Sequence, residues 1–199
     1  MSVNIFALSE LPIVAAREQC DRHVVKMPIE TAQMLSTVHR MLDGTAYVDY
    51  AKNGRRIQRW SHPTDSFSGS VLYRATMMNH PCTIWARETL GNYLWLSKHG
   101  MGLCEEYTRR YGRVHGSQRV LEWCYHNIPA NINDSIVVTP FAQAMPNNLK
   151  VPNDAVSAYR QYYIVEKRRF ATWKEPAEMP HWFFSGISSS ELTNEPMSV

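Results

Sequence analysis

The sequence predicts an all-α fold, a compact bundle of four to five helices joined by long irregular loops, with little or no sheet. Three observations carry this expectation. Apolar residues recur at helical spacing in several separate windows. Breakers and cap residues, among them Pro12, Pro81, Gly112, Pro129 and the pair Asn153 and Asp154, frame those windows. Ile136-Val137-Val138 is the one run that reads as a strand. With 199 residues, 44% of them hydrophobic, the chain suits a single domain, expected over 1–184 with a polar, loose tail over 185–199.

In chain order, Asn4 to Leu8 is a short apolar segment ended by Ser9, Glu10 and Pro12. From Pro12 to Arg40, Val24, Met27, Met34, Leu35 and Val38 share one buried stripe. Pro28 is expected to kink or restart this helix, because proline removes a backbone donor and crowds the preceding turn. Residues 41–80 read as a long irregular connection with turn signals at Asp43-Gly44, Asn53-Gly54 and Ser68-Gly69. A loop of that length is usually functional or an insertion. A second helix from Cys82 to His99 is expected to break at Gly100 and Gly102, and a third to run from Leu103 to Tyr111, stopped by Gly112. A fourth starts near Ser117 and ends before Pro129, residues 131–152 are irregular, and the last helix runs from Asp154 to Trp173.

No run approaches 18 consecutive apolar residues, so no membrane span is expected. The opening MSVNIFALSE lacks the basic region and apolar stretch of a secretory signal. Cys20, Cys82, Cys104 and Cys124 are too few for a disulfide scaffold, and a reduced cytoplasm is the expected compartment. A formal charge of +3 decides little, but its distribution says more. Basic residues gather at Lys52, Arg55, Arg56 and Arg59, at Arg109, Arg110 and Arg113, and at Lys167, Arg168 and Arg169. Such clusters either bind a polyanion or are ordinary solvated helix faces. Tyr159, Tyr162, Tyr163, Phe170 and Trp173 interleave with the last cluster, as suits stacking on bases and following phosphates. Their spacing is also that of a helix core, so most of these rings are expected inside and a minority of the cations on DNA. Gln143, Asn147 and Asn148 sit on a loop from which they could reach a base edge.

Cys20-x-x-His23, His80-x-Cys82 and Cys124-x-His126 are soft-ligand pairs, but none has the Cys-x2-Cys form, and no metal or other cofactor is expected. Phosphate-loop, dinucleotide-binding, nucleophile-elbow, zincin and deaminase patterns are all missing.

The densest chemistry lies at Cys-Asp-Arg-His-Val-Val-Lys-Met-Pro-Ile-Glu, residues 20–30. On a continuous helix His23 and Glu30 share one face, roughly 10 Å apart along the axis. Arg22 and Lys26 neighbour that face. A carboxylate held beside cations serves as a general base or stabilises a developing cation. The alternative is a helical ion pair of Glu30 with Lys26 or Arg22, worth a few tenths of a kcal/mol. This stretch resembles the first helix of the phage-type pyrimidine-dimer DNA glycosylases, the endonuclease V family of phages. Asp21, His23 and Glu30 match that family's Asp-x-His and the catalytic glutamate that follows it, and Asn4-Ile5-Phe6 is similar to its N-terminal segment. The resemblance covers roughly the first 40 residues and, more loosely, residues 80–112. Where the family places basic residues just before and three after its glutamate, this chain has Ile29 and Gln33.

The resemblance implies an all-α glycosylase and abasic-site lyase that flips a base out of double-stranded DNA. Its nucleophile would be the N-terminal amine, here that of Ser2 once Met1 is removed. Glu30 would stabilise the cationic sugar and assist elimination, and His23 would orient the amine or contact a phosphate. Arg22, Lys26, Arg109, Arg110, Arg113, Lys167, Arg168 and Arg169 are the candidate DNA contacts, and a damaged or modified pyrimidine is the candidate target. Two other readings stay open: a transferase that hypermodifies a base on the same base-flipping scaffold, and a non-catalytic DNA-binding protein.

Overall fold

A computed structural model describes residues 3–192, with side chains as far as 187. Seven helices follow in order: α1 (Pro12–Arg17), α2 (Asp21–Asp43), α3 (Pro81–Glu88), α4 (Leu90–Tyr111), α5 (Gln118–His126), α6 (Ala155–Tyr162) and α7 (His181–Leu192). α4 is the axis of the bundle and packs against α1, α2, α3 and α5, while α2 also meets α3 and α5. Met27, Met34, Leu35, Tyr93, Leu96, Leu103 and Leu121 are fully buried between them. Each large apolar side chain so placed contributes roughly 1.5–3 kcal/mol. Among the described residues, no helix is long and apolar enough to cross a membrane.

The helix predicted from Pro12 does divide, but at 18–20 rather than at Pro28. The carbonyls of Arg17 and Gln19 in that turn accept from the Arg110 guanidinium of α4, which fixes the break. Pro28 lies inside α2, forgoing one hydrogen bond, and buried Val24, Met27, Thr31 and Leu35 hold the helix on both sides of it. Gly100 and Gly102 do not break α4 either. A Cβ on Gly100 would lie 2.8 Å from Thr31 Cγ2 and 2.9 Å from Leu121 Cδ2, and one on Gly102 would lie 3.0 Å from Ala16 Cβ. These glycines let the neighbouring helices approach. The break falls at Thr89, whose side chain accepts from the Asn92 amide and starts α4. Gly112, at φ 64°, ends α4 as expected.

The expectation of a long irregular connection over 41–80 needs correction, although the sheet it contains is small. A two-stranded antiparallel hairpin, β1 (Thr45–Tyr50) and β2 (Arg56–Ser61), pairs Thr45 with Ser61 and Tyr50 with Arg56. Tyr47, Val48 and Tyr50 are exposed, so no buried alternating face marked the strands in the sequence. Ile136-Val137-Val138 joins no sheet among the described residues; its chain is pinned over the start of α4, where Thr89 donates to the Val137 carbonyl. The last predicted helix opens at the Asp154 cap, but past Tyr162 it loosens into a π turn (Tyr163–Lys167) and a 3-10 turn (Arg168–Phe170). α7 occupies the start of the segment expected to be a loose tail, and 193–199 lie outside the described residues.

Candidate active site

The N-terminal segment is organised by one side chain. Asn4 Oδ1 accepts from the amides of Ile5 (2.8 Å) and Phe6 (3.2 Å). This local turn supports Phe6 at φ 39°, in the left-handed region that non-glycine residues avoid. The backbone is thereby turned so that the Phe6 ring stacks on His23, with centroids 4.2 Å apart. The Asn4 amide donates to Glu30 Oε2 at 3.1 Å, and Lys26 Nζ stands 2.7 Å from Glu30 Oε1. On the other side the Asn4 side chain donates to the Ala144 carbonyl at 2.9 Å.

The second wall comes from the π turn after α6, a distortion common at functional sites. Its Tyr163 hydroxyl hydrogen-bonds His23 Nδ1. Tyr162 lies nearly parallel to Phe6 at 6.0 Å, and Phe170 stands edge-on to His23 at 5.9 Å. The Arg22 guanidinium lies 4.9 Å over Phe170, and Lys167 Nζ lies 4.2 Å over Tyr162 while donating to its hydroxyl. Between the walls is a cavity of about 300 Å³ lined by Phe6, His23, Glu30, Tyr162, Lys167 and Phe170. A second cavity, about 320 Å³, lies beside the hairpin, but its Arg40 and Asp65 are already paired bidentately.

Glu30 is 1% exposed, and burial raises its pKa, an effect opposed by Lys26 and the Asn4 amide. His23 is 6% exposed, and burial, reinforced by Lys167 and Lys26, lowers its pKa to about 3. At neutral pH the ring is therefore uncharged: it can orient a partner by hydrogen bonding but not neutralise a phosphate. The site thus offers a desolvated carboxylate, a neutral imidazole, aromatic surfaces and cations around one cavity.

Of the residues singled out by sequence, Glu30, His23, Arg22, Lys26 and Lys167 come together here. Arg168 and Arg169 are exposed just beyond the cavity, with Arg169 5.9 Å over Phe170. Arg113 is exposed past the end of α4, and Arg109 is partly exposed while sharing the Glu106 carboxylate. Arg110 is a correction. Its side chain is fully buried, paired with Glu106 and Asp21, so it is a structural cation and not a DNA contact. Gln143 is likewise spent within its own loop, clamping both backbone groups of Val151. Ser2 lies outside the described residues. The cysteine and histidine pairs do not assemble: all four thiols are buried and free, and His80 caps α3 by accepting from the Cys82 amide. Sequence reasoning gave Phe6 no role beyond the family-like N-terminal segment and expected most of the rings from Tyr159 to Trp173 inside; Tyr163 is buried, but Tyr162 and Phe170 line the cavity. The adjoining run of cations was the only signal that this wall faces a site.

The family model described as pyrimidine dimer DNA glycosylase matches residues 3–118, more than half of the chain. The match includes His23 and Glu30 and stops short of the wall formed by Tyr162, Tyr163, Lys167 and Phe170. No curated protein and no solved structure matches the chain significantly.

Proposed function

Because the chain belongs to the pyrimidine dimer DNA glycosylase family, we propose that its cavity excises a damaged or modified pyrimidine from double-stranded DNA, with the Ser2 amine as nucleophile. The observation that carries this reading is the hydrogen bond from the Asn4 amide to Glu30 Oε2. It ties the first residues to the one buried carboxylate of the cavity. By chain length alone, the nitrogen of residue 2 is within about 7 Å of the Asn4 nitrogen.

An α-amine has a reference pKa near 8, so a useful fraction is unprotonated at neutral pH. Its lone pair attacks the sugar C1′ of a flipped nucleotide. The glycosidic bond breaks, and the base leaves with the bonding pair and gains a proton. The nitrogen then loses its proton and forms an imine as O4′ departs from C1′ and is protonated. Glu30, ionised, stabilises the cationic sugar, and afterwards accepts the C2′ proton as the C3′–oxygen bond breaks and the phosphate leaves. The burial that raises its pKa also makes it the stronger base. His23, held neutral against Tyr163, orients the reacting groups, while the aromatic walls receive the flipped base and Arg22, Lys26 and Lys167 face the flanking phosphates.

Borohydride trapping on abasic-site DNA tests the mechanism. A covalent adduct is expected with free Ser2 and with Ser2→Ala, since the backbone nitrogen reacts. N-terminal acetylation or an uncleaved N-terminal tag should abolish trapping while folding and DNA binding persist. Trapping by the blocked protein would remove the mechanism. A second reading, a transferase that hypermodifies the flipped base without cleavage, is favoured by the cavity wall lying outside the family match. It predicts DNA binding with no trapping.

A further inference from the structure

We propose that His39, Asp43 and His62 form a binding site for one divalent cation of the zinc class. The site lies at the other end of α2 from the cavity, where the hairpin returns to the bundle. Ligand-capable atoms of these three side chains lie within 4.8 Å of one another, and no other such convergence of His, Cys, Asp or Glu occurs among the described residues. Donors about 2.0–2.1 Å from a tetrahedral zinc stand about 3.3 Å apart, so closure requires a movement of at most about 1.5 Å.

Independent support comes from His62, 8% exposed, whose Nε2 is buried with no hydrogen-bond partner. With its proton on Nδ1 the ring donates to Thr64 Oγ1 at 2.8 Å, leaving a lone pair on Nε2. With the proton on Nε2 instead, Nδ1 accepts the Thr64 amide at 3.2 Å, and a buried N–H is left without an acceptor. A cation at Nε2 selects the first form and removes the deficit.

The outer partners set up the other two ligands in the same way. Tyr93 has a single hydroxyl proton, which it donates to the Cys124 carbonyl at 2.7 Å and the Asn127 carbonyl at 3.0 Å. Its contact with His39 Nε2, also 2.7 Å, must therefore be an N–H donation from His39, leaving the lone pair on His39 Nδ1. Asp43 accepts from the Asn131 amide and side chain at Oδ1 and from the Ala130 amide at Oδ2, so one of its four lone-pair positions is left, on Oδ2. Two imidazoles and a carboxylate with hydrogen-bonded backs form a donor set that suits zinc, with a fourth position for water. Such a cation would join the end of β2, the C-terminus of α2 and the 130–131 loop.

The test uses the whole protein, stripped of metal and titrated with zinc chloride by calorimetry and with cobalt chloride by visible absorption. One equivalent of each should bind, with ligand-field bands for cobalt and, at a hundredfold excess over Kd, a rise in Tm of roughly 5–10 °C. His62→Gln should weaken zinc by more than the 10–100-fold that loss of an outer partner costs. Asp43→Asn keeps Oδ1 for the two Asn131 donors and gives up only the acceptor of the Ala130 amide; it serves as the second variant should His62→Gln misfold and should weaken zinc likewise. Sub-stoichiometric uptake, as expected if the three groups hold only a bridging water, overturns the proposal. Uptake unchanged in both variants also overturns it, by placing the metal on the thiols.

Discussion

Replacing Glu30 by Gln separates charge from shape at the centre of the cavity. Gln keeps an oxygen for the Asn4 amide, 3.1 Å away, but cannot form the ion pair with Lys26. Loss of one preorganised electrostatic stabiliser costs about 2.7–4 kcal/mol in the transition state, a fall of about 100- to 1000-fold in the chemical step. Stability should move the other way. Burial raises the Glu30 pKa, so the native chain holds this proton at a pH where the unfolded chain has released it. Ionised Glu30 therefore lowers stability above its raised pKa, and that cost disappears as pH falls through it. The ion pair with half-exposed Lys26 offsets less than about 1 kcal/mol. Glu30→Gln should thus be at least as stable as the parent at pH 7, its advantage shrinking as pH falls towards the ordinary carboxylate value of 4.5. Single-turnover trapping gives the rate, fluorescence anisotropy the DNA affinity, and urea unfolding at both pH values the stability. Parallel loss of affinity and rate, or a destabilisation of several kcal/mol, would refute the reasoning and reduce Glu30 to a structural partner of Lys26.

Arg110→Met removes a buried cation from Glu106 and Asp21; it should destabilise the fold by about 3–5 kcal/mol in urea, with no change in the salt dependence of DNA binding. Arg168 and Arg169, both exposed, should behave oppositely: changing both to Ala should flatten log affinity against log salt by roughly one or two units, and an unchanged slope would make them a solvated face. His23 and His99, each with its pKa lowered to about 3 by burial, take up protons on unfolding near their ordinary 6.5. Their contribution to stability is complete above that value and falls by about 1.4 kcal/mol per residue per pH unit below it. Proton NMR should show both rings neutral in the folded protein at pH 5.

The parts of the fold that were legible in the sequence are those built from local signals. Gly112 and Asp154 act where their backbone chemistry requires, and Gly100 and Pro28 show where local signals mislead. Pro28 and Gly100 look like breakers until the packing around them is known; in the structure Pro28 is buried within α2, and Gly100 lets α2 and α5 approach α4. The hairpin escaped because its strands bury little, and helical or strand periodicity records burial rather than hydrogen bonding. Glu30 and His23 were legible because their spacing on one helix fixes a common face. Tyr163 was not, since a ring in a helical window has the same pattern whether it fills the core or holds a histidine 140 residues away. Arg110 shows the converse: three arginines within five positions look like a basic patch, but the one turned inwards meets two carboxylates.

The separation between His23 and Tyr163 also sets an order of assembly. A ribosome working at about 5–20 residues per second delivers the second wall roughly seven to twenty-eight seconds after the first. During that interval the nascent polypeptide carries its glutamate and its leading residues, but Phe6 and His23 have no roof, and the cavity has only one wall. The cavity is thus complete only once residue 170 has been made. Cleavage anywhere between α5 and α6 would leave an N-terminal fragment with the family's signature residues and half of a pocket.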